Sequence, residues 1–425
     1  MSAPAGGRPR ARDLGIRLGI LEPGRYNAIT DVGDVRVGHV TIIDAGSASP
    51  PRGPARTGVT VVLPHGGNMF RQKVPAAFHV INAFGKVAGV TQLQELGVLE
   101  TPVALTNTLS VGSAFEGLVL HALAANPEIG RSAGNVNPVV AECSDARLND
   151  IRALVVRPEH VLEAIAAARP GPVAEGSVGA GTGMICYGWK GGIGTASRMT
   201  GDGAGSHIVG ALVLANFGRP GDLRIDGVPV GASLRPPDAP ALPLTTALPL
   251  TAAPVTGPAQ DAGGSCVVVL ATTAPADSRQ LGRLARRVQN GLAWTGTFGE
   301  HGSGEYVIAF STARLIPHTP GAEQLAAVVL PEDGPMMDVL FRAVVESVEE
   351  AVVNALLGAE SVAGSVPGAA GSATAGSEAA GTETAGSGAA GTETVSSAAA
   401  WPADVSLPAD RLAELLAASG RLLNR

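Results

Sequence analysis

A hydroxyl at the head of an apolar run is the most chemically suggestive feature of this 425-residue chain. Gly263 and Gly264 run directly into Ser265-Cys-Val-Val-Val-Leu-Ala, a short buried-strand pattern. A hydroxyl that attacks the carbonyl of the residue before it needs an unusual backbone geometry, and glycine permits that geometry without steric cost. Scission between Gly264 and Ser265 would give Ser265 a free α-amine. Such an amine titrates at about 7.7–8.0, so an appreciable fraction is a base at neutral pH. Hydroxyl and amine on one residue then form a self-contained nucleophile and base. The same residues also read as a plain Gly-Gly-Ser turn before a strand, and on pattern alone the turn is the commoner case.

Composition narrows the field. The formal charge is −7, with no basic run, which argues against nucleic acid, whose binding is driven by neutralising phosphates. Aromatic residues are 3 % of the chain, too few for base-stacking platforms. Cys143, Cys186 and Cys266 are widely spaced, and neither C-x-x-C nor H-E-x-x-H occurs. The expectation is three reduced thiols in a cytoplasmic protein, with no metal and no organic cofactor. No unbroken apolar stretch approaches the ~18–20 residues of a membrane span, and no apolar run follows the charged N-terminus as a secretory signal would require. The glycines of GAGTG (179–183) lack dinucleotide spacing and a P-loop lysine, and read as a tight turn.

Strand and helix signals alternate around the serine. Strands are expected over 34–43, 57–65, 102–108, 138–144, 183–198 and 207–218, then from 265 and over 304–312. Ser113 and Glu116 have the spacing of a capping box ahead of a helix. Further helices are expected over 158–168, 277–293, 334–357 and 408–418. Residues 1–25 read as a loose leader. The proline-rich segment 235–264 reads as an exposed linker. Residues 359–400 contain the near-repeat AGSEAAGTET, AGSGAAGTET and read as a disordered low-complexity insert.

Long stretches in order resemble one peptidase family. They include NAITDVGDVRVGHVT (27–41), KVPAAFHVINAFGKVAGVTQLQELG (73–97), ETPVALTNTLSVG (100–112), LNDIRA (148–153), GSVGAGTGM (176–184), ANFG (215–218), GSCVVVLATTAP (264–275) and SGEYVIAFST (303–312). The chain is similar to the L-aminopeptidase/D-amidase-esterase (DmpA-like) and β-aminopeptidase family, self-processing N-terminal serine hydrolases. The resemblance implies an α+β fold: a four-layer αββα sandwich, similar to N-terminal-nucleophile hydrolases but with different connectivity. It implies self-cleavage at Gly264–Ser265 into an α chain (1–264) and a β chain (265–425) that together form one domain, and assembly into a tetramer of such heterodimers.

Carried over by position, the family's nucleophile is Ser265, its supporting pair is Ser303 and Glu305, and its oxyanion donor is Asn216. Strand residues two apart share a face, so the pair can act together. Where the family tends to place a Tyr before LND, this chain has Arg147. Arg147 would supply guanidinium donors, favour acidic or smaller substrates, or mark lost activity. Glu142 is a candidate partner for a substrate ammonium, with a structural salt bridge, to Arg147 for instance, as the alternative. The expected activity is release of N-terminal residues from short peptides, amides or esters. An acyltransferase of the ornithine acetyltransferase-like fold, which uses Thr where Ser265 stands, a processed but inactive binding protein, and an unprocessed nucleotide-binding protein are the competing readings.

Overall fold

A strand apolar on both faces has to be covered on both. The strand that begins at Ser265 is such a strand. It is buried along its length, with Val267, Val269 and Ala271 in one apolar cluster and Cys266, Val268 and Leu270 in another. The computed structural model describes residues 7–49, 51–203, 205–237, 264–362 and 405–422. Its main strands are β1 (Arg36–Asp44), β2 (Ala55–Leu63), β3 (Gln72–Ala83), β4 (Val87–Ala88), β5 (Val103–Asn107), β6 (Val139–Cys143), β7 (Gly192–Met199), β8 (Ile208–Asn216), β9 (Ser265–Thr272) and β10 (Gly304–Ser311). Its main helices are α1 (Val111–Ala125), α2 (Pro158–Ala167), α3 (Ser278–Ala285), α4 (Val288–Trp294), α5 (Met336–Gly358) and α6 (Ala409–Ala418).

Two sheets stack. The first has the order β1-β2-β5-β6-β4; the second runs β7-β8-β9-β10-β3, with short strands continuing beyond β3. Neighbours are antiparallel in these runs except β5 with β6 and β9 with β10. Val62, Leu105, Val139, Leu214, Val267 and Ile308 fill the space between the sheets. Leu118 of α1 and Val161 of α2 cover the outer face of the first sheet against Val59, Val61 and Val140. Leu284, Leu292, Val344 and Val352, from α3, α4 and α5, cover the outer face of the second. This is the expected four-layer αββα sandwich. Helix α6 docks Leu412 and Leu416 on the outer core.

Several local expectations are corrected. The described leader residues 7–25 are not loose. Ala11, Ile16 and Leu18 are buried, Arg8 donates to the carbonyls of Leu357 and Leu407, and Arg12 pairs with the fully buried Glu350 at 3.0 Å. Isolated arginines look solvated in sequence; here Arg12 neutralises a carboxylate on a helix more than 300 residues away, and Arg8 ties down two backbone carbonyls. Ser113 lies inside α1, because Asn107 caps the preceding turn by accepting from the amides of Leu109 and Ser110. The helix expected over 277–293 divides into α3 and α4 around Arg286–Arg287. Residues 238–263 of the linker and 363–400 of the insert lie outside the described residues, but Ala359, at the insert's start, is fully buried. The segment Thr108–Ala125 reaches a mean hydropathy of 1.3, long and apolar enough to cross a membrane by length and composition alone. It packs on the first sheet through Ala114 and Leu118, buries Ala122 against Phe70 and Ile129, and carries Glu116 and His121.

Candidate active site

The ladder register gathers the site. Ser265, first in β9, pairs with Asn216, last in the antiparallel β8, and with Gly304, first in the parallel β10. In the first sheet β5 and β6 are parallel, so Asn107 and Cys143 end together. These ends border a cleft of about 290 Å³ whose lining includes Ser265, Gly264, Asn216, Glu142, Arg147 and Lys86. Five of the seven positions singled out in the sequence therefore meet in one cavity.

Asn216 is the best-fixed of them. Its Nδ2 donates to Ser265 Oγ at 3.1 Å and to the Ser144 carbonyl at 2.9 Å. Its Oδ1 accepts from the Ile185 amide at 2.9 Å. The GAGTG segment, a buried 3₁₀ turn, delivers Ile185 to that position. With donors and acceptor all engaged, the amide orientation is over-determined. Gly264 reaches the cleft because it lacks a side chain: a Cβ there would lie 2.8 Å from Cα of Phe217. Its carbonyl accepts from the Gly304 amide at 3.1 Å.

Ser303 and Glu305 meet each other but do not line this cleft. Ser303 Oγ donates to Glu305 Oε1 at 3.1 Å, and both residues are buried. Alternation explains their separation from the Ser265 hydroxyl. Ser265 shares the parity of Val267 and Val269, which face the first sheet, whereas Glu305 shares that of Val307 and Ala309, which face the helices. Glu305 instead lines a neighbouring recess with Asn290 and Ala293 of α4. Burial raises its carboxyl above the ordinary range, and the Ser303 hydroxyl draws it part of the way back.

Glu142 is buried at the floor of the cleft. Oε1 accepts from the Lys86 amide at 2.9 Å, and Oε2 accepts from Thr108 Oγ1. Those are the bonds that hold its carboxylate in place; Arg147 lines the same cleft from an exposed position. Behind the site Lys190 is fully buried and donates to the carbonyls of Gly181, Met184 and Gly191 at 2.8–3.0 Å. Burial brings its ammonium down to about 7.

Three supporting residues escape sequence reasoning. Thr108 and Lys86 become neighbours of Glu142 only through the β5–β6 and β4–β6 pairings. Asn82 donates to the carbonyls of Glu300, His301 and Ser303, and so pins the loop before β10. An Asn near a strand end inside VINAFG was the only available signal. Among the described residues no group of three or more His, Cys, Asp or Glu side chains is placed to hold a metal ion.

Known proteins are similar to this chain over most of its length. Residues 27–367 match the model of peptidase family S58. The β-peptidyl aminopeptidase BapA of Sphingosinicella microcystinivorans is 42 % identical over 357 residues, covering 84 % of this chain and 87 % of that protein. The structure of a Burkholderia sp. β-aminopeptidase matches with a TM-score of 0.73 and 42 % identity, over 84 % of this chain and 93 % of the other. The L-aminopeptidase D-Ala-esterase/amidase of Ochrobactrum anthropi, described as a prototype of the serine aminopeptidases and a new variant of the Ntn hydrolase fold, matches with a TM-score of 0.78 and 35 % identity, over 98 % of this chain and 100 % of the other. The chain belongs to peptidase family S58 and is an aminopeptidase of the N-terminal-nucleophile type.

Proposed function

We propose that the chain cuts itself between Gly264 and Ser265 and that the new N-terminal serine is the catalytic nucleophile. The observation that carries this is the paired restraint on the two reacting groups. The Gly304 amide holds the Gly264 carbonyl oxygen at 3.1 Å, and Asn216 holds the Ser265 hydroxyl at 3.1 Å. In self-cleavage Ser265 Oγ attacks the Gly264 carbonyl carbon, the C–N bond breaks, and an ester forms with release of the α-amine. Water then hydrolyses the ester, leaving a carboxylate on Gly264.

In turnover the α-amine accepts the Ser265 hydroxyl proton as Oγ attacks the substrate carbonyl. The Gly304 amide, vacated by Gly264, and Asn216 Nδ2, whose hydrogen passes from Ser265 Oγ to the new oxyanion as that Oγ bonds the substrate carbon, supply two donors for the oxyanion. The departing amine takes the proton, and water resolves the acyl-enzyme. Ser303 and Glu305 support the α-amine, whose nitrogen belongs to the ladder between the faces rather than to either one. Glu142 receives the substrate ammonium. Substrates are short peptides, amides or esters, cleaved at the N-terminal residue, with no cofactor.

The two pieces would stay together, because the cut falls inside one sheet: β8 comes from the first piece, β9 and β10 from the second, and β3 again from the first. A tetramer of such heterodimers follows the family resemblance. A cytoplasmic location fits the three free buried thiols. Mass spectrometry of the purified protein against Ser265→Ala, combined with a panel of aminoacyl p-nitroanilides, tests the reading. Two fragments with breakage before Ser265, and one intact inactive chain in the variant, are expected. An uncut wild type that hydrolyses the panel at full rate overturns it.

A further inference from the structure

The charges around the cleft go beyond recognition of an ammonium. Its lining has one acidic side chain, Glu142, and two basic ones, Lys86 and Arg147. Glu142 is at the floor, 3 % exposed, while Lys86 and Arg147 are exposed. Each Glu142 oxygen already accepts one hydrogen bond, and each keeps a further lone pair for an ammonium. Once a substrate ammonium has neutralised Glu142, the remaining charge in the lining is positive.

The positions give a length as well as a sign. The backbone amide of Lys86 is the group that holds Glu142 Oε1. The ammonium of the same residue is therefore only one lysine side chain away from the place where a substrate ammonium would sit. A dipeptide spans about 7 Å when extended, so its two charged ends fit that spacing. Resting on the aminopeptidase mechanism proposed above, we infer that this cleft selects short peptides bearing a free carboxylate one residue beyond the scissile bond. Lys86 and Arg147 read that carboxylate, and Glu142 reads the ammonium. The scissile carbonyl then falls between them, over Ser265.

A matched pair tests this: Ala-Ala and its C-terminal amide, compared by kcat/KM at low and high salt. The free acid should be preferred about three- to tenfold at low ionic strength, since exposed ion pairs are individually weak. That preference should shrink at high salt. In the double variant K86Q/R147Q the acid-to-amide ratio should fall to about one. Equal turnover of acid and amide by the wild type, or a preference that survives in the double variant or at high salt, overturns the inference. Aspartyl and asparaginyl p-nitroanilides form a second arm. No gain for the aspartyl compound is expected, and a gain there in place of the dipeptide effect would overturn the assignment to a C-terminal carboxylate. Calorimetric binding of non-hydrolysable isosteres of the same acid and amide pair to the processed wild type reads the preference without turnover. An absence of catalysis would then count against the mechanism, and an absence of discrimination in binding against the carboxylate site.

Discussion

The side-chain amide of Asn216 donates to the Ser265 hydroxyl over 3.1 Å. The direction of that bond excludes Asn216 as the base that takes the hydroxyl proton and suits it to stabilising negative oxygen. Asn216→Ala should therefore lower kcat by about 10²–10³-fold, the usual effect of losing one oxyanion donor, with KM nearly unchanged. Steady-state kinetics on fully processed protein checks this. A loss confined to KM would assign Asn216 to ground-state binding.

Gly264 approaches the backbone of Phe217 so closely that a methyl group would lie 2.8 Å from its Cα. Gly264→Ala must shift the scissile carbonyl away from the Gly304 amide, because the opposing atom is backbone and cannot rotate aside. We expect the variant to accumulate as one 42.5 kDa band on a denaturing gel under conditions where the wild type is cut. Normal processing would show that the tight contact is not needed for cleavage.

Glu305 provides the pH test. Its carboxyl is raised by burial and partly lowered by the Ser303 hydroxyl. An anion beside the α-amine of Ser265 would stabilise the ammonium form and so move the acid limb of the rate profile to higher pH. Glu305→Gln should shift that limb to lower pH while lowering the plateau by about 10²-fold. An unchanged limb would place Glu305 away from the amine.

Legibility in the sequence followed the range of the forces involved. The αββα layers were implied by the family resemblance; the strand patterns themselves mark single elements, such as the apolar run from Ser265, and do not say how the sheets stack. Ser265 was visible because glycine, hydroxyl and apolar run are contiguous. Glu142, Arg147 and Asn216 share one cleft. The opposed facing of Ser265 and Glu305 was not visible, because it depends on the parallel register that sets Ser265 against Gly304 rather than Glu305. The leader's docking is likewise invisible in one dimension: Arg12 has meaning only beside Glu350. Asn82 and Thr108 act through loop carbonyls and cross-sheet neighbours, and those contacts leave no local signature.

The leader's role has an energetic consequence. Arg198 is fully buried, 2.6 Å from Glu350 and 3.3 Å from Glu346, and it also donates to the Leu18 carbonyl at 2.6 Å. Arg198→Met leaves two buried carboxylates short of a cation and should cost about 3–5 kcal/mol of stability. Arg12→Ala, which removes a partly exposed partner of Glu350, should cost less. Chemical denaturation of each variant gives the comparison, and a larger loss from Arg12→Ala would mean that Arg12, not Arg198, sets the charge balance of the helix.

Glu349 gives stability a pH dependence of unusual sign for a carboxylate. Burial first, and then the charge of Asp226, push its carboxyl up to about 7; the Asp226 backbone amide and the charge of Arg198 oppose the shift, and Glu346 adds to it. In the folded chain the group keeps its proton to higher pH than in the unfolded chain. The folded state therefore binds the extra proton between the ordinary carboxylate range and about 7, and stability falls as pH rises through that window. Below the window Glu349 and a glutamine are both neutral and should be nearly equivalent. Above it only the glutamate bears a buried charge. Thermal melts of wild type and Glu349→Gln at pH 5 and pH 8 should show the variant gaining on the wild type at the higher pH. A variant that loses ground at pH 8 would mean that Arg198 holds Glu349 ionised and that the pair, rather than burial, decides its state.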